Sequence, residues 1–299
     1  MNEPSRGWLD IREVGTVWGI RFVAWLCTGA GRTPARFLLK AVAVYYLFTH
    51  RVARSASADY WRRLGKEPTR LRMIDHIYHF AVVAMDRFMF LTKRTESFEI
   101  TRSGSENLAA LRSSGKGAIL LGAHLGSFQA MSAVADSVNF RIRIVGDFRN
   151  AERFNSVLRE FNPDSQASMI QISDSVDFVI AIKQAIEAGD LVGILGDRLR
   201  PREAWAFADF LGSQAAFPTG PYALASVLQC PIYLTFGLYR EPNRYDLYCE
   251  PFAEGLRVPR GERSRVFQSQ VQRFADRLSH YTKMAPNNWF NFFDFWSPR

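Results

Sequence analysis

Gly117-Ala118-Ile119-Leu120-Leu121-Gly122-Ala123-His124-Leu125-Gly126-Ser127-Phe128-Gln129 runs from an unbroken apolar segment into a glycine-flanked histidine. The first five residues read as a strand buried on both faces, Gly122 and Gly126 allow a tight turn, and Ser127 is placed to N-cap a following helix. A titratable side chain on a strand-to-helix turn is where an α/β sheet presents its chemistry. Within one helix, residues five apart point about 140° apart, since each residue turns about 100°. His124 and Gln129 therefore meet only if His124 lies on the turn before the helix. In that geometry the Gln129 side chain reaches one imidazole nitrogen and the other faces an open cleft.

Outward from this segment the chain alternates short apolar strands with helices. Strands are expected at Phe98–Ile100, Ile142–Val145, Ser168–Ile172, Leu191–Leu195, Pro231–Tyr239 and Arg244–Cys249, and helices at Glu106–Leu111, Ala151–Phe161, Val176–Ala188 and Val266–Tyr281. The implied fold is α/β, a mixed and largely parallel sheet flanked by helices. Asp197 follows the strand Leu191–Leu195, where such a sheet displays functional groups; a capping or salt-bridged aspartate is the competing reading.

The first third differs. Val14–Cys27 and Ala35–Phe48 read as apolar helices separated by Gly29, Gly31 and Pro34, and Leu71–Leu91 carries an apolar face at three- and four-residue spacing. Trp18, Trp25, Tyr45 and Tyr46 with flanking arginines fit a membrane-facing layer; a buried helical hairpin is the alternative. His76 and His79, three apart, have a spacing open to metal, but no carboxylate or cysteine cluster matches it and no metal is expected. We expect residues 1–95 to form a helical, membrane-associating segment and 96–299 an α/β domain, together one continuous structural unit.

Length and composition bound the function. The 299 residues, 47% hydrophobic and 22% charged, suffice for a full core. The formal charge is +9, and residues 1–100 hold 16 basic and 9 acidic residues, so this third supplies +7 of it. Anionic partners follow. Cys27, Cys230 and Cys249 are too few and scattered for a disulfide framework. The start lacks the pattern of a secretory signal, and no stretch reaches about 18 uninterrupted apolar residues. A cytoplasmic-side protein is expected. The absence of GxSxG disfavours a serine esterase, and Ser114-Gly115-Lys116-Gly117 lacks the remainder of a phosphate loop. No GxGxxG follows a strand, and no nucleic-acid-binding motif accompanies the arginines, so nucleotide cofactors and nucleic acid are not expected.

The His124 segment, with other blocks in the right order, resembles the bacterial lipid A late acyltransferases (lauroyl and myristoyl transferases) of the lysophospholipid acyltransferase-like superfamily. That family's signature is a histidine followed, after four intervening residues, by Glu or Asp; His124 matches, but position 129 is Gln. Phe148-Arg149-Asn150 through Asn155 resembles its arginine-and-asparagine block. Gly196-Asp197-Arg198 falls at its acidic strand-end motif, and Phe210-Leu211-Gly212 with Phe217-Pro218-Thr219-Gly220-Pro221 resembles its glycine- and proline-rich segment. The aromatic ending Asn288-Trp289-Phe290-Asn291-Phe292-Phe293 fits less specifically.

The resemblance implies a glycerol-3-phosphate acyltransferase-like fold and transfer of a fatty acyl group from acyl carrier protein or acyl-CoA to a lipid hydroxyl. His124 would be the general base, with Gln129 and Asp197 in the catalytic group; no further cofactor is implied. Arg149, Asn155, Arg198, Thr219 and Gly220 would contact substrate, the arginines by holding a phosphate. Each arginine has a structural ion-pair reading beside it. The expected location is the cytoplasmic face of the bacterial inner membrane. Gln129 can fix the imidazole tautomer but bears no charge. Either another carboxylate, Asp197 or Asp147, replaces it, or the chain is a weakened or inactivated variant, or the acceptor needs less help. A non-catalytic lipid- or carrier-binding protein of the same fold is the rival from another class; thioester hydrolysis is a third reading.

Overall fold

The computed structural model describes residues 16–137, 140–147, 152–161, 169–173 and 175–297. Four helices come first: α1 (Val17–Gly29), α2 (Arg32–Thr49), α3 (Arg51–Arg63) and α4 (Arg70–Leu91). Thr16 caps α1, its Oγ1 accepting the Gly19 N–H at 3.1 Å. Gly31 is the N-cap of α2 and sits at φ +94°, a left-handed conformation that favours glycine. Pro34 lies in the first turn of α2, where a missing N–H costs no helical bond. Helix α3 has no counterpart in the sequence reading. Its polar composition hides a buried stripe of Ala53, Ala56, Ser57, Tyr60 and Trp61.

Strands and helices then alternate: β1 (Glu99–Ser103), α5 (Ser105–Ser113), β2 (Ala118–Gly122), α6 (Phe128–Ser137), β3 (Ile142–Gly146), α7 (Glu152–Phe161), β4 (Met169–Gln171), α8 (Val176–Glu187) and β5 (Leu191–Leu195). The chain continues with β6 (Trp205–Phe210), β7 (Ser213–Pro218), α9 (Gly220–Leu228), β8 (Ile232–Arg240), β9 (Arg244–Ala253) and α10 (Arg263–Met284). Seven strands form one sheet in the order β1-β9-β8-β2-β5-β3-β4. The five from β8 to β4 are mutually parallel, β9 runs antiparallel to β8, and β1 pairs parallel with β9. This is the mixed, largely parallel sheet expected. The segment read as glycine- and proline-rich is a separate antiparallel hairpin, β6-β7. Leu211 at φ 51° and Gly212 at φ 79° close it as a two-residue turn.

Strand β2 is buried at every residue. Its alternate side chains enter different cores: Ile119 and Leu121 join the main cluster, while Ala118 and Leu120 join Leu111, Phe140, Ile142 and Leu191 on the other face. The helical layer is tied to the sheet through a buried ion pair. Arg32 of α2 grips Asp86 of α4 with two 2.7 Å hydrogen bonds, and the Tyr245 hydroxyl of β9 donates to Asp86 Oδ2 at 2.7 Å. His76 and His79 are engaged separately. His76 Nε2 donates to Trp289 O at 2.7 Å and Nδ1 accepts from Ser57 Oγ at 3.0 Å, whereas His79 Nδ1 donates to Asp75 O at 2.8 Å.

Candidate active site

Strands β2 and β5 are neighbours, with Gly122 opposite Leu195. Two residues beyond that last pair the two chains present His124 and Asp197 side by side. Asp197 is fully buried and His124 about one quarter exposed, with Nδ1 2.7 Å from Asp197 Oδ1. The His124 backbone N–H donates to the same carboxylate, at 3.1 Å and 3.0 Å to its two oxygens. Asn291 Nδ2 donates to Asp197 Oδ2 at 2.7 Å, and Asn291 Oδ1 accepts from Arg198 Nε at 2.7 Å. Arg198 Nη2 donates to Phe290 O at 2.9 Å. The result is a polarised chain from Arg198 through Asn291 and Asp197 to His124.

The turn that carries His124 is clamped from both sides. Phe290 N–H donates to His124 O at 2.7 Å, Gly126 N–H to Asn288 O at 2.8 Å, and Ser127 N–H to Gly237 O at 2.7 Å. Gly126 has φ +70°, and a Cβ there would lie 2.0 Å from Gly237 O. Only glycine fits. Ser127 Oγ accepts the Ala130 N–H at 3.1 Å, the cap expected from sequence. Asn288 anchors the C-terminal segment, its side chain bonding Tyr239 N at 2.7 Å and Tyr239 O at 3.0 Å.

The electrostatics favour neutral imidazole beside ionised carboxylate. Burial, with the positive charges of Arg198 and Arg87, holds His124 below its ordinary value, against an opposing pull from Asp197. Burial opposes ionisation of Asp197, but His124, Arg198 and Asn291 outweigh it and leave its pKa below the usual carboxylate value. With Asp197 ionised, Nδ1 must carry the proton that it donates, so Nε2 keeps its lone pair. A neutral base whose conjugate acid is paired with a buried carboxylate is set up to take a proton from a hydroxyl.

The sequence model of the bacterial lipid A biosynthesis acyltransferases matches residues 6–297, nearly the whole chain. The chain belongs to that family. It is thus an acyltransferase acting on lipid-type substrates. Among solved structures, the chain is similar to the 1-acyl-sn-glycerophosphate (LPA) acyltransferase PlsC from Thermotoga maritima, at 14% identity and a TM-score of 0.37, over 81% of this chain and 97% of that one. No curated protein matches the chain.

In this acyltransferase the structure brings together His124, Asp197 and Arg198 of the residues picked from sequence. It does not bring Gln129 to the imidazole. Nδ1 is taken by Asp197, and the Gln129 side chain makes no hydrogen bond among the described residues. Asn155 is buried in α7. Arg149 lies outside the described residues. Thr219 is the N-cap residue of α9 without a capping bond; its Oγ1 donates instead to Ala204 O at 3.1 Å. Gly220 follows it, with Glu203 beside it. The backbone N–H groups of Gly126 and Ser127 are already spent. Free donors for an oxyanion are therefore to be sought at Phe128 and Gln129, whose N–H groups in the first turn of α6 have no intrahelical acceptor.

Sequence reasoning missed Asn288 and Asn291. The signal was available: two asparagines set into the aromatic run from Asn288 to Phe293 are buried polar residues, and such residues need partners. It also missed Arg87, whose positive charge is felt at His124.

Proposed function

We propose that this acyltransferase moves a fatty acyl group from a thioester, carried by acyl carrier protein or CoA, to a hydroxyl of a lipid or glycolipid acceptor, with His124 as general base. Nε2 takes the acceptor proton as the oxygen attacks the thioester carbonyl and forms the C–O bond. The tetrahedral intermediate collapses with loss of the C–S bond, and the imidazolium returns its proton to the departing thiolate. Asp197 stabilises the transient imidazolium and fixes the tautomer. The observation that carries this reading is the 2.7 Å contact of His124 Nδ1 with a buried carboxylate. The same contact weighs against a non-catalytic role, because the charge missing at position 129 is supplied by Asp197.

The acceptor is reached, on this reading, from the cytoplasmic face of a bacterial inner membrane. Among the described residues no helix is long and apolar enough to cross a membrane. Helix α1 nevertheless exposes Trp18 (77%), Phe22 and Trp25 (62%) at four- and three-residue spacing, and α2 exposes Phe37 (70%), Tyr45 and Phe48. Lys40 lies among them, as does Arg21, which is ion-paired with Glu160 of α7. Aromatic side chains with interspersed cations on one outer layer are what an interfacial helix pair presents to anionic lipid.

The test is comparative lipid mass spectrometry of cells lacking the protein, complemented with the native chain or with His124→Ala. A lipid heavier by one acyl group, restored by the native chain alone, is the expected result and identifies the acceptor by mass. Equal rescue by both chains would sink the catalytic reading. Free fatty acid without acylated lipid would point to hydrolysis.

A further inference from the structure

One face of α4 runs along the site. His76, Phe80 and Arg87 fall at four- and seven-residue spacing and so share a stripe. His76 bonds Trp289 O and packs at a tilt against Phe292, and the Phe80 ring touches Phe290 and Phe292 at 5.4 Å and 5.6 Å. Phe290 is the residue whose N–H holds His124 O. Arg87 is two turns beyond Phe80, where α4 packs on α6 and α7, and α6 begins four residues after His124.

There the Arg87 guanidinium lies over the Phe154 ring of α7, with Cζ 4.9 Å from the ring centre. Its Nε is buried without a hydrogen-bond partner, and no carboxylate forms an ion pair with it among the described residues. The adjacent Asp86 is already committed to Arg32 and Tyr245. Other buried or partly buried arginines are served: Arg32 has Asp86, and Arg198 has Asn291 Oδ1 and Phe290 O. Burial lowers Arg87 to about 10, and its positive charge in turn disfavours the imidazolium of His124. A partly buried cation without a counter-ion, its Nε shut off from water, is costly, and a guanidinium is shaped to receive phosphate oxygens.

We propose that Arg87 is an anion-binding residue of the active site, receiving a phosphate oxygen of a bound substrate from the α4 side. This rests on the acyl-transfer reading for the identity of that substrate. The phosphate can belong to the donor, in its phosphopantetheine arm, or to the acceptor lipid. The shared chemistry is a phosphate ester beside the base.

Binding, measured by calorimetry on the full chain in detergent micelles, tests this without turnover. The probes are 4′-phosphopantetheine against pantetheine for the donor, and 1-acylglycerol 3-phosphate against 1-acylglycerol for the acceptor. In the native chain one phosphorylated probe is expected to bind about tenfold or more tightly than its dephosphorylated counterpart, the usual range for a charge-assisted hydrogen bond. In Arg87→Met that gap should vanish, and in Arg87→Lys part of it should remain. Arg87→Met removes an unpartnered, partly buried charge, so its ligand-free melting temperature should hold or rise. A gap retained in folded Arg87→Met, or no gap for either probe in the native chain, would overturn the proposal. So would a ligand-free melting temperature lowered by several degrees in Arg87→Met, which would make Arg87 part of the framework. A native chain that shows the gap but consumes no thioester would refute acyl transfer and leave the phosphate site standing.

Discussion

Replacing Asp197 by Asn tests the polarised chain at its centre. The substitution keeps size and shape but turns one acceptor oxygen into an NH2 group. Asp197 accepts from the His124 N–H and Nδ1–H on one side and from Asn291 Nδ2 on the other. If the new NH2 faces Asn291, two donors meet. Flipping the Asn291 amide removes that conflict but sets its NH2 against the Arg198 Nε–H, which now donates to Asn291 Oδ1. If instead the new NH2 faces His124, the ring is driven to the other tautomer, with Nδ1 accepting and Nε2 protonated. A protonated Nε2 cannot take the acceptor proton. No orientation of the two amides satisfies both neighbours and leaves the base free. One buried donor without a partner costs about 1–3 kcal/mol of stability, and loss of general-base help costs about 10²- to 10⁴-fold in turnover. The assay is thiol release from acyl-CoA and from acyl carrier protein, each with membrane lipid as acceptor, followed across pH. Native activity should fall only as pH drops below the depressed pKa of His124, itself lower than 6.5. In Asp197→Asn the carboxylate no longer favours imidazolium, so residual activity should fall away at still lower pH. A folded Asp197→Asn protein that turns over at half the native rate or more would refute the reasoning.

Other perturbations separate the parts of the site. Gln129→Ala should change turnover by less than about threefold, under 1 kcal/mol of barrier, and Gln129→Glu should preserve or raise it; a hundredfold loss in either folded variant would return residue 129 to the catalytic group. Stability should depend on His76, which burial lowers from 6.5 to about 4. Its contribution is complete above the unfolded value of 6.5 and is lost as pH falls from there through the folded value, a total of about 3 kcal/mol. Denaturant unfolding at pH 7 and pH 4.5 measures this, and the same loss in His76→Gln would exclude His76 as its source. Trp18→Ser with Trp25→Ser should weaken binding to anionic vesicles by about 2 kcal/mol, near thirtyfold, in a co-sedimentation assay, without lowering the melting temperature. Unchanged partitioning would reassign that face.

Local patterns were legible in the sequence wherever a single element determined them. The glycines and Ser127 announced the turn and cap at His124, and the apolar runs at Ala118–Gly122 and Leu191–Leu195 announced central strands. Helix α3 escaped because its composition is polar overall and its buried face starts with small residues, Ala53, Ala56 and Ser57, before Tyr60 and Trp61. The β6-β7 hairpin escaped because Leu211 takes a left-handed turn position that a bulky residue rarely occupies. The partner of His124 was legible only as a choice. Asp197 follows from the adjacency of β2 and β5, and strand order is a long-range property that local spacing does not encode.

That long-range origin changes what holds the base in place. A carboxylate at position 129 would belong to the same strand, turn and helix as His124. Asp197 instead sits on β5 and is braced by Asn291, from the end of the chain, while Phe290 and Asn288 bond the His124 turn directly. The same segment is secured to α4 through His76 and to β8 through Tyr239. Base, charge partner and brace thus come from three distant stretches, and each bond between them requires the others' backbones to be fixed. Such a network resists loosening because losing one member leaves buried donors unpaired elsewhere. The aromatic residues around Asn288 and Asn291 serve this end by excluding water from the network, which strengthens the field that Asp197 exerts on the imidazole. The apolar end of the chain is therefore part of the catalytic electrostatics, although none of its aromatic side chains can carry a proton.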